Sequence, residues 1–268
     1  MTRKRFVPAG SLFFVIILSS SIVPSYAEGI PITISGTMNK VSSDGKWSFA
    51  TEWKESTLTQ IDTGAEPIYL RTAHQGDYIY VLIDAVEDTH FVKGSDSAIV
   101  CIDGSNNKEK IPYTSDYCFV ATLGERSSFT LQGGSPLGIN GNFRKIPNPE
   151  DFIGISSVSD QNDRYSTVPH ASYEFRIPII LFGRSDVYGF YTSVYFGHAN
   201  KFYSFPSTST PSSLFEIPPP ATWGEIVSPD KSLPEFSWPT VLLLSGVLFV
   251  IYFTKMRSGH LQLRTNGN

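Results

Sequence analysis

The sequence predicts an all-β domain, a sandwich or barrel of roughly nine strands, placed between two targeting segments. Short runs rich in Val, Ile, Tyr and Phe recur along residues 30–203, and Gly, Pro, Asn and Asp separate them. No segment of this region keeps a helical period. Many short strands joined by such turns are typical of sandwiches and barrels, and the region is long enough for one domain with its own core.

The strands follow from β-rich runs and from the turn signals between them. The predicted strands are 30–34, 67–72, 77–85, 97–103, 116–123, 128–131, 152–158, 172–177 and 187–196. Residues 78–83 are apolar on both faces, which indicates a central strand covered on both sides.

Alternation predicts which side chains face the core. In the strand 172–177 the predicted core side chains are Tyr173, Phe175 and Ile177, and the outward ones are Ser172, Glu174 and Arg176. In the strand 187–196 the predicted core side chains are Tyr188, Phe190, Val194 and Phe196. The residues predicted on the opposite, outer face are Gly189, Tyr191, Ser193 and Tyr195.

The two cysteines fall on neighbouring predicted strands. If 97–103 and 116–123 form a hairpin that pairs Asp103 with Asp116, the same register places Cys101 opposite Cys118. With 16 residues between them, the chain-entropy model assigns a bridge roughly 3 kcal/mol. The sequence therefore predicts a Cys101–Cys118 disulfide, and two free buried thiols are the alternative.

The N-terminus has the pattern of a secretory signal peptide. Arg3, Lys4 and Arg5 precede an apolar segment at 12–23, and Ser25-Tyr26-Ala27 offers small residues for cleavage before Glu28. The alternative is an uncleaved transmembrane helix, although the apolar segment is short for a span.

The C-terminus has the pattern of a membrane anchor. Residues 238–254 form an apolar segment whose helix would be roughly 25 Å long, and basic residues follow it, which the positive-inside rule places in the cytoplasm. The predicted organisation is a signal peptide (1–27), an exterior domain (28–203), a Pro/Ser/Thr-rich stalk (204–237), a transmembrane helix (238–254) and a cytoplasmic tail (255–268). The prolines stiffen the stalk and hold the domain away from the membrane.

The exterior part is acidic. The whole chain has a net charge of −4, but six of its basic residues lie in the two targeting ends. All 25 acidic residues lie between Glu28 and Glu235, against 15 Lys and Arg, a balance of −10. Nucleic-acid binding depends on Lys and Arg, so this balance argues against a nucleic-acid partner.

A series of short motifs along the domain resembles a known family. The motifs are Asp44-Gly45-Lys46-Trp47, Trp53, Asp77-Tyr78-Ile79-Tyr80-Val81, Asp84, Asp88, Asp96, the strand 98–103, Tyr173-Glu174-Phe175-Arg176-Ile177-Pro178 and Gly189-Phe190. Their order resembles family-9 carbohydrate-binding modules and the wider DOMON-like sandwiches. The resemblance implies an antiparallel, jelly-roll-like β-sandwich that binds sugars or haem rather than catalysing a reaction.

The end of the chain resembles the C-termini of archaeal surface proteins. Trp223-Gly224-Glu225-Ile226 and Pro234-Glu235-Phe236 precede the apolar segment and the basic residues. In an archaeal sorting signal of this pattern the tail is removed during lipid attachment. Eleven residues follow Arg257, longer than such signals usually are, so we expect a retained helix.

The leading functional hypothesis is a non-catalytic module that binds a cell-surface or environmental glycan. Sugar binding needs aromatic faces and a few fixed polar groups, and the predicted ligand-binding residues are Tyr69, Arg71, Tyr191, Tyr195 and Trp47. The alternatives are that the tyrosines only decorate a β-face and that the tryptophan is core. A purely architectural surface protein is a further possibility. The sequence has no recognised nucleophile, metalloprotease or phosphate-binding motif, so we do not expect an enzyme.

The sequence contains candidate ligands for two cofactors, calcium and haem. Asp84, Asp88 and Asp96, with Asp103 nearby, stand at predicted strand ends and form a candidate structural calcium site, with solvated turn carboxylates as the alternative. A haem-binding electron-transfer domain is the other class, and its candidate axial ligands are Met38, His74, His90, His170 and His198. No Cys-x-x-Cys-His motif accompanies them.

Overall fold

The computed structural model describes residues 29–34, 38–124, 128–136, 142–213, 216–228 and 246–249. Fourteen β-strands lie within these ranges. They are β1 (Gly29–Pro31), β2 (Thr33–Ile34), β3 (Thr57–Ile61), β4 (Ile68–Gln75), β5 (Tyr78–Ala85), β6 (Ser97–Asp103), β7 (Asp116–Thr122), β8 (Phe129–Gln132), β9 (Arg144–Ile146), β10 (Ile153–Val158), β11 (Ala171–Pro178), β12 (Val187–Phe196), β13 (Lys201–Phe205) and β14 (Gly224–Val227).

The strands form two sheets, which confirms the predicted β-sandwich. The large sheet has eight strands in the order β1-β14-β12-β6-β7-β8-β9, with β13 beside the C-terminal half of β12. The small sheet has six strands in the order β10-β11-β5-β4-β2, with β3 also beside β4. Neighbouring strands are antiparallel except for the short pairs β1–β14 and β2–β4.

The main core lies between the two sheets, where alternation predicted it. The inward side chains of β11 and of β12 are buried in one continuous apolar cluster: Tyr173, Phe175, Ile177, Tyr188, Phe190, Val194 and Phe196. Burying each large apolar side chain contributes about 1.5–3 kcal/mol relative to leaving it exposed. The central strand β5 is buried almost throughout, as its two apolar faces predicted.

The outer face of the small sheet is also covered, which the alternation did not predict. The segment 38–56 folds over this face and buries Met38, Trp47 and Trp53 against Leu82 of β5. Ser172 and Glu174 were predicted to point outward and are instead 0% and 2% exposed. A period of two identifies two faces of a strand, but it does not reveal that another segment covers the second face.

The disulfide is present in the predicted register. Cys101 pairs with Cys118 across β6 and β7, and their sulfurs are bonded at 2.02 Å. The bridge lies on the outer side of the large sheet, in an apolar cluster with Tyr191, Ile217 and Trp223.

The sandwich extends past residue 203, where the sequence places the end of the domain. β13 continues to Phe205, and β14 pairs with both β12 and β1. Trp223, just before β14, is 2% exposed and its indole Nε1 donates to the Pro218 carbonyl. The Pro/Ser/Thr-rich composition predicts a stalk over 204–237, but buried apolar side chains such as Phe205, Trp223 and Ile226 attach the described part of this stretch to the sheet.

The predicted targeting segments fall mainly outside the described residues. The predicted signal peptide 1–27 and tail 255–268 lie outside them, and of the predicted span 238–254 only the helical residues 246–249 are described. Within the described ranges, no helix has the length and apolar content needed to cross a bilayer.

Candidate functional site

The five residues predicted to bind a ligand lie on both sheets. Tyr69 and Arg71 belong to β4 of the small sheet, whereas Tyr191 and Tyr195 belong to β12 of the large sheet. Trp47 lies in the segment that covers the small sheet. They therefore form two separate groups and cannot line a single groove.

The small-sheet group is a packed aromatic cluster. Tyr69 stacks on Tyr165 with ring centroids 3.7 Å apart, and Arg71 donates from Nε to the Tyr165 hydroxyl at 2.7 Å. The Arg71 guanidinium also donates to the Ser56 carbonyl and lies 5.5 Å from the Trp47 ring centroid.

This packing leaves little of the small-sheet group available to a ligand. Trp47 is 0% and Arg71 is 7% exposed, so both serve the covering layer rather than a binding surface. Sequence reasoning missed Tyr165 because it lies in the loop 159–170, which has no strand period or motif to mark it.

The large-sheet group borders a cavity, called here the sheet cavity, on the outer face of the large sheet. Its volume is about 210 Å³. The walls are mainly apolar and aromatic. Among the lining residues are Ile99, Phe129, Tyr191, Ser193, Tyr195 and Phe202. The cavity is formed by strands β6, β7, β8, β12 and β13 together with Pro211, Glu216 and Ile217.

Aromatic rings hold the shape of the sheet cavity. Tyr195 packs on Phe202 with centroids 4.6 Å apart, and its hydroxyl donates to Asn200 Oδ1 at 2.9 Å. On the opposite side, the ring of Tyr191 stacks against Trp223 with centroids 6.0 Å apart. Tyr195 and Phe202 are half-buried, so one edge of the cavity opens to solvent.

Two buried hydroxyls in this cavity have few partners. Tyr191 Oη and Ser193 Oγ, two residues apart on the same face of β12, interact with each other, and neither makes a further hydrogen bond among the described residues. Burial also raises the pKa of Tyr191. Leaving a buried polar group unsatisfied costs about 1–3 kcal/mol, so these hydroxyls favour a polar ligand or water beside them.

Sequence reasoning found Tyr191 and Tyr195 but missed the rest of the cavity wall. Phe202 lies inside the predicted domain but on no predicted strand, and Ile217 lies beyond its predicted end at 203. Phe129 was predicted on a strand but was given no role. The aromatic content of 201–205, with three aromatic residues in five, would have indicated β13. The pairing of that strand with β12, which brings Phe202 beside Tyr195, is a tertiary contact.

The three aspartates predicted to bind calcium are all buried, but each has a different environment. Asp96 accepts backbone hydrogen bonds from Val92 at 2.6 Å and Gly197 at 2.7 Å, so it orders two loops. Asp84 contacts His170 Nε2 instead. The carboxylate oxygens of Asp88 accept no hydrogen bond from the described residues, and His198 Nδ1 lies 3.5 Å from its Oδ1.

Burial is the main cause of the raised pKa values of Asp84 and Asp88. Burial raises the pKa of Asp88 to about 7, and the charge of Asp96 adds to the shift. Burial likewise raises the pKa of Asp84 to about 6, against the opposing effect of His170. Within the described residues, the structure groups Asp84 with Asp163 and His170 as a ligand set, rather than with Asp88 and Asp96.

A Ser-His-Asp sequence of contacts occurs at this point. The His170 ring lies between Ser159 Oγ, 2.9 Å from Nδ1, and Asp84 at Nε2. In serine hydrolases the carboxylate holds Nδ1 and the serine faces Nε2, so the order here is reversed. Ser159 is 3% exposed and His170 is 0% exposed, which keeps this arrangement away from any substrate.

The candidate haem ligands are dispersed. Met38 is buried under the covering segment, and both nitrogens of His74 are hydrogen-bonded, to Ser228 Oγ and the Gly76 carbonyl. His90 and His198 are neighbours, with ring centroids 5.0 Å apart.

The chain matches no protein-family model, and no curated protein sequence matches it. Among solved structures it is similar to two of a family-9 carbohydrate-binding module from Caldicellulosiruptor kristjanssonii, one in complex with cellotriose and one with glucose. Both structures have a TM-score of 0.45 and cover 75% of this chain. The cellotriose complex is 13% identical, with 93% of its chain covered. The glucose complex is 14% identical, with 95% of its chain covered. Family-9 modules, to which the sequence motifs bear a resemblance, are thus among its structural neighbours.

Proposed function

We propose that this protein is a non-catalytic glycan-binding module whose binding site is the sheet cavity. The observation that carries the proposal is the combination of aromatic walls with the buried hydroxyls of Tyr191 and Ser193 in one partly open cavity. Ligand sites are concave, mainly apolar and equipped with a few fixed polar groups, and this cavity has those features.

The chemistry of a sugar suits these walls. The C–H face of a pyranose packs on an aromatic ring, and its hydroxyls both donate and accept hydrogen bonds. Tyr195 and Phe202 stand at the open edge of the cavity, where they can contact the ring face of a sugar. The hydroxyls of Tyr191 and Ser193 lie deeper and can bind a sugar hydroxyl.

The proposal is tested by a glycan array with calcium present, followed by titration calorimetry on the sugars that bind. The panel includes glucose and cellotriose, the sugars bound in the two similar structures. We expect Tyr195→Ala to weaken binding roughly tenfold, about 1.4 kcal/mol, because it removes an aromatic wall. Tyr113→Ala is the matched control, since Tyr113 is 52% exposed and outside the cavity.

Two results would overturn this assignment. Absence of saccharide binding at millimolar concentrations, with a folded protein, would leave the architectural role as the better explanation. Normal binding by Tyr195→Ala together with loss in Tyr69→Ala would instead move the site to the stacked tyrosine pair of the small sheet.

We further propose that the module is held outside the cell by a single span at 238–254, with a cytoplasmic C-terminus. The apolar segment and the basic residues after it support the anchor and its orientation. The Cys101–Cys118 disulfide supports an oxidising compartment, because such bonds are rare where thiols are kept reduced.

A further inference from the structure

Three ligand-type side chains converge inside the domain beside the small sheet. Asp84 lies on β5, His170 immediately precedes β11, and Asp163 lies in the loop 159–170 that joins β10 to β11. One ligand atom from each lies within 4.8 Å of the others, and all three side chains are 0% exposed. None of them borders the sheet cavity.

The charges of this group do not balance. The two carboxylates interact with each other, and together they face one imidazole. Asp84 Oδ2 and Asp163 Oδ2 are buried and have no hydrogen-bond partner among the described residues. The carboxylates of Asp84 and Asp163 carry two negative charges, and a protonated His170 supplies at most one positive charge. A further proton or a cation is therefore needed, because an uncompensated buried charge is very costly.

The surroundings hold His170 in the orientation of a metal ligand. Its Nδ1 lies 2.8 Å from the Val168 carbonyl. A carbonyl only accepts, so this contact places a proton on Nδ1 and directs Nε2 toward the two carboxylates. Metal-bound histidines typically donate a hydrogen bond from the N–H of their other ring nitrogen to a carbonyl or carboxylate in this way.

Asp163 is oriented by backbone groups of its own loop. Its Oδ1 accepts from the amides of Tyr165 at 2.7 Å and Ser166 at 3.2 Å, while Oδ2 stays without a partner. One oxygen of the carboxylate is therefore fixed and the other is left for a ligand.

We propose that Asp84, Asp163 and His170 bind a divalent first-row transition-metal cation of the Zn²⁺ type, which attaches the loop 159–170 to the small sheet. Zn²⁺ binds both His nitrogen and carboxylate oxygen, and a site with three protein ligands is completed by water. Calcium requires six to eight oxygen ligands, and this site offers a nitrogen in place of one. The site differs from the calcium set predicted from sequence, with which it shares only Asp84.

A structural consequence reaches the protein surface. Tyr165 follows Asp163 in the same loop, stacks on Tyr69 and accepts from Arg71. A metal at Asp163 would hold this loop, and with it the stacked tyrosine pair, against β4. The proposal is independent of glycan binding, because the sheet cavity is on the other sheet.

The test is metal content measured by plasma mass spectrometry. The full-length protein is unfolded with chelator, refolded with Zn²⁺ and dialysed. We expect about one Zn²⁺ per chain, and loss of that ion in Asp163→Asn. His198→Gln is the control, because His198 contacts both His90 and Asp88 but is not part of the proposed site. This variant should keep its Zn²⁺.

Several results would overturn the proposal. One is loss of Zn²⁺ in His198→Gln together with retention in Asp163→Asn, which would place the ion at the other cluster. Another is wild-type protein that refolds without binding Zn²⁺, Mn²⁺ or Co²⁺, which would mean that a shared proton balances the carboxylates.

A second measurement does not depend on the variants folding. Wild-type protein refolded with Co²⁺ should show visible d–d absorption of a site with mixed nitrogen and oxygen ligands, and excess Zn²⁺ should abolish it. A silent spectrum, or stabilisation by Ca²⁺ alone in thermal melting, would contradict a transition-metal site.

Discussion

At the scale of single residues, Glu174 shows how a buried carboxyl organises the covering segment. Its Oε2 accepts from the amides of Asp44 at 2.9 Å and Gly45 at 2.7 Å, and its Oε1 accepts from the Trp53 indole at 3.0 Å. One side chain of β11 thus binds the start of the Asp44-Gly45-Lys46-Trp47 motif and also Trp53, further along the covering segment. Its 2% exposure explains why alternation alone misplaced it.

The protonation of Glu174 predicts a pH dependence of stability. Burial raises its pKa to about 8 from 4.5, despite the opposing effect of its hydrogen bonds. The folded state then binds the proton more tightly than the unfolded state. This contribution to the free energy of unfolding is complete below about pH 4.5 and is lost as pH rises to about 8.

Denaturant unfolding at a series of pH values measures this effect. Between pH 5 and 8 we expect the stability of the wild type to fall, and Glu174→Gln to show a flatter profile because Gln does not titrate. Arg176→Gln, on the same outer face of β11 and half-exposed, is the control and should keep the wild-type slope. Parallel profiles for wild type and Glu174→Gln would contradict the prediction.

Gly45 is required by both its conformation and its surroundings. Its φ is +89°, and a Cβ at this position would lie 2.6 Å from the Ser156 carbonyl carbon and 2.7 Å from the Ser157 nitrogen. Backbone atoms of β10 cannot move aside easily, so we expect Gly45→Ala to lower the free energy of unfolding by more than about 2 kcal/mol.

Gly64→Ala separates the two causes. Gly64 has a similar φ of +87°, but nothing lies within 4 Å of the added Cβ. We expect it to lose only about 1 kcal/mol, the cost of the left-handed conformation. Chemical denaturation of both variants measures the difference, and equal losses would show that the contact with β10 does not matter.

At the scale of elements, β14 changes the extent of the domain. It pairs with β12 and β1, and Ile226 lies in the main core while Trp223 covers the disulfide region. Without it, the N-terminal half of β12 and the apolar cluster around Cys101 would lose their cover.

A truncation series tests this role. A chain ending at residue 203 should be poorly soluble or unfolded, whereas a chain ending at 228 should unfold cooperatively. Truncating a buried tryptophan to Ala costs about 3–5 kcal/mol, so Trp223→Ala in the longer chain should already lose much of its stability. A stable, cooperative domain ending at 203 would mean that β14 is dispensable.

At the scale of the whole molecule, the two outer faces differ in how far other segments cover them. The small sheet is closed by the segment 38–56 and the loop 159–170, which hold the proposed metal site and the tyrosine stack. The outer face of the large sheet is only partly covered, by Ile217 and Trp223 beside the disulfide, and it also borders the open sheet cavity. Closure of one face leaves the other as the proposed ligand surface.

The proposed membrane location is tested on the intact molecule. Protease added to whole cells should remove an epitope tag placed after Glu28 and leave a tag at residue 268 protected, because the positive-inside rule puts the tail in the cytoplasm. After cell lysis both tags should be digested, which is the control. Digestion of the C-terminal tag on whole cells, or a mature chain that lacks it, would contradict the retained span.

The sequence by itself determined the features that depend on local period and short-range register. These are the all-β class, the inward faces of β11 and β12, and the pairing of Cys101 with Cys118. Each follows from the two-residue repeat of a strand or from a single hairpin. Edge strands such as β3 and β9 were missed because their short, polar runs lack that repeat.

Only the tertiary structure decided which segments cover the two sheets. It packed Trp47 of the segment 38–56 against the small sheet, buried Glu174 beneath that segment, attached β14 to β12, and brought Asp84 to Asp163 and His170. These contacts join residues tens of positions apart along the chain, and no local repeat encodes them. The covering contacts form because the free energy of the chain falls when another segment removes the apolar side chains on the second face of each sheet from water.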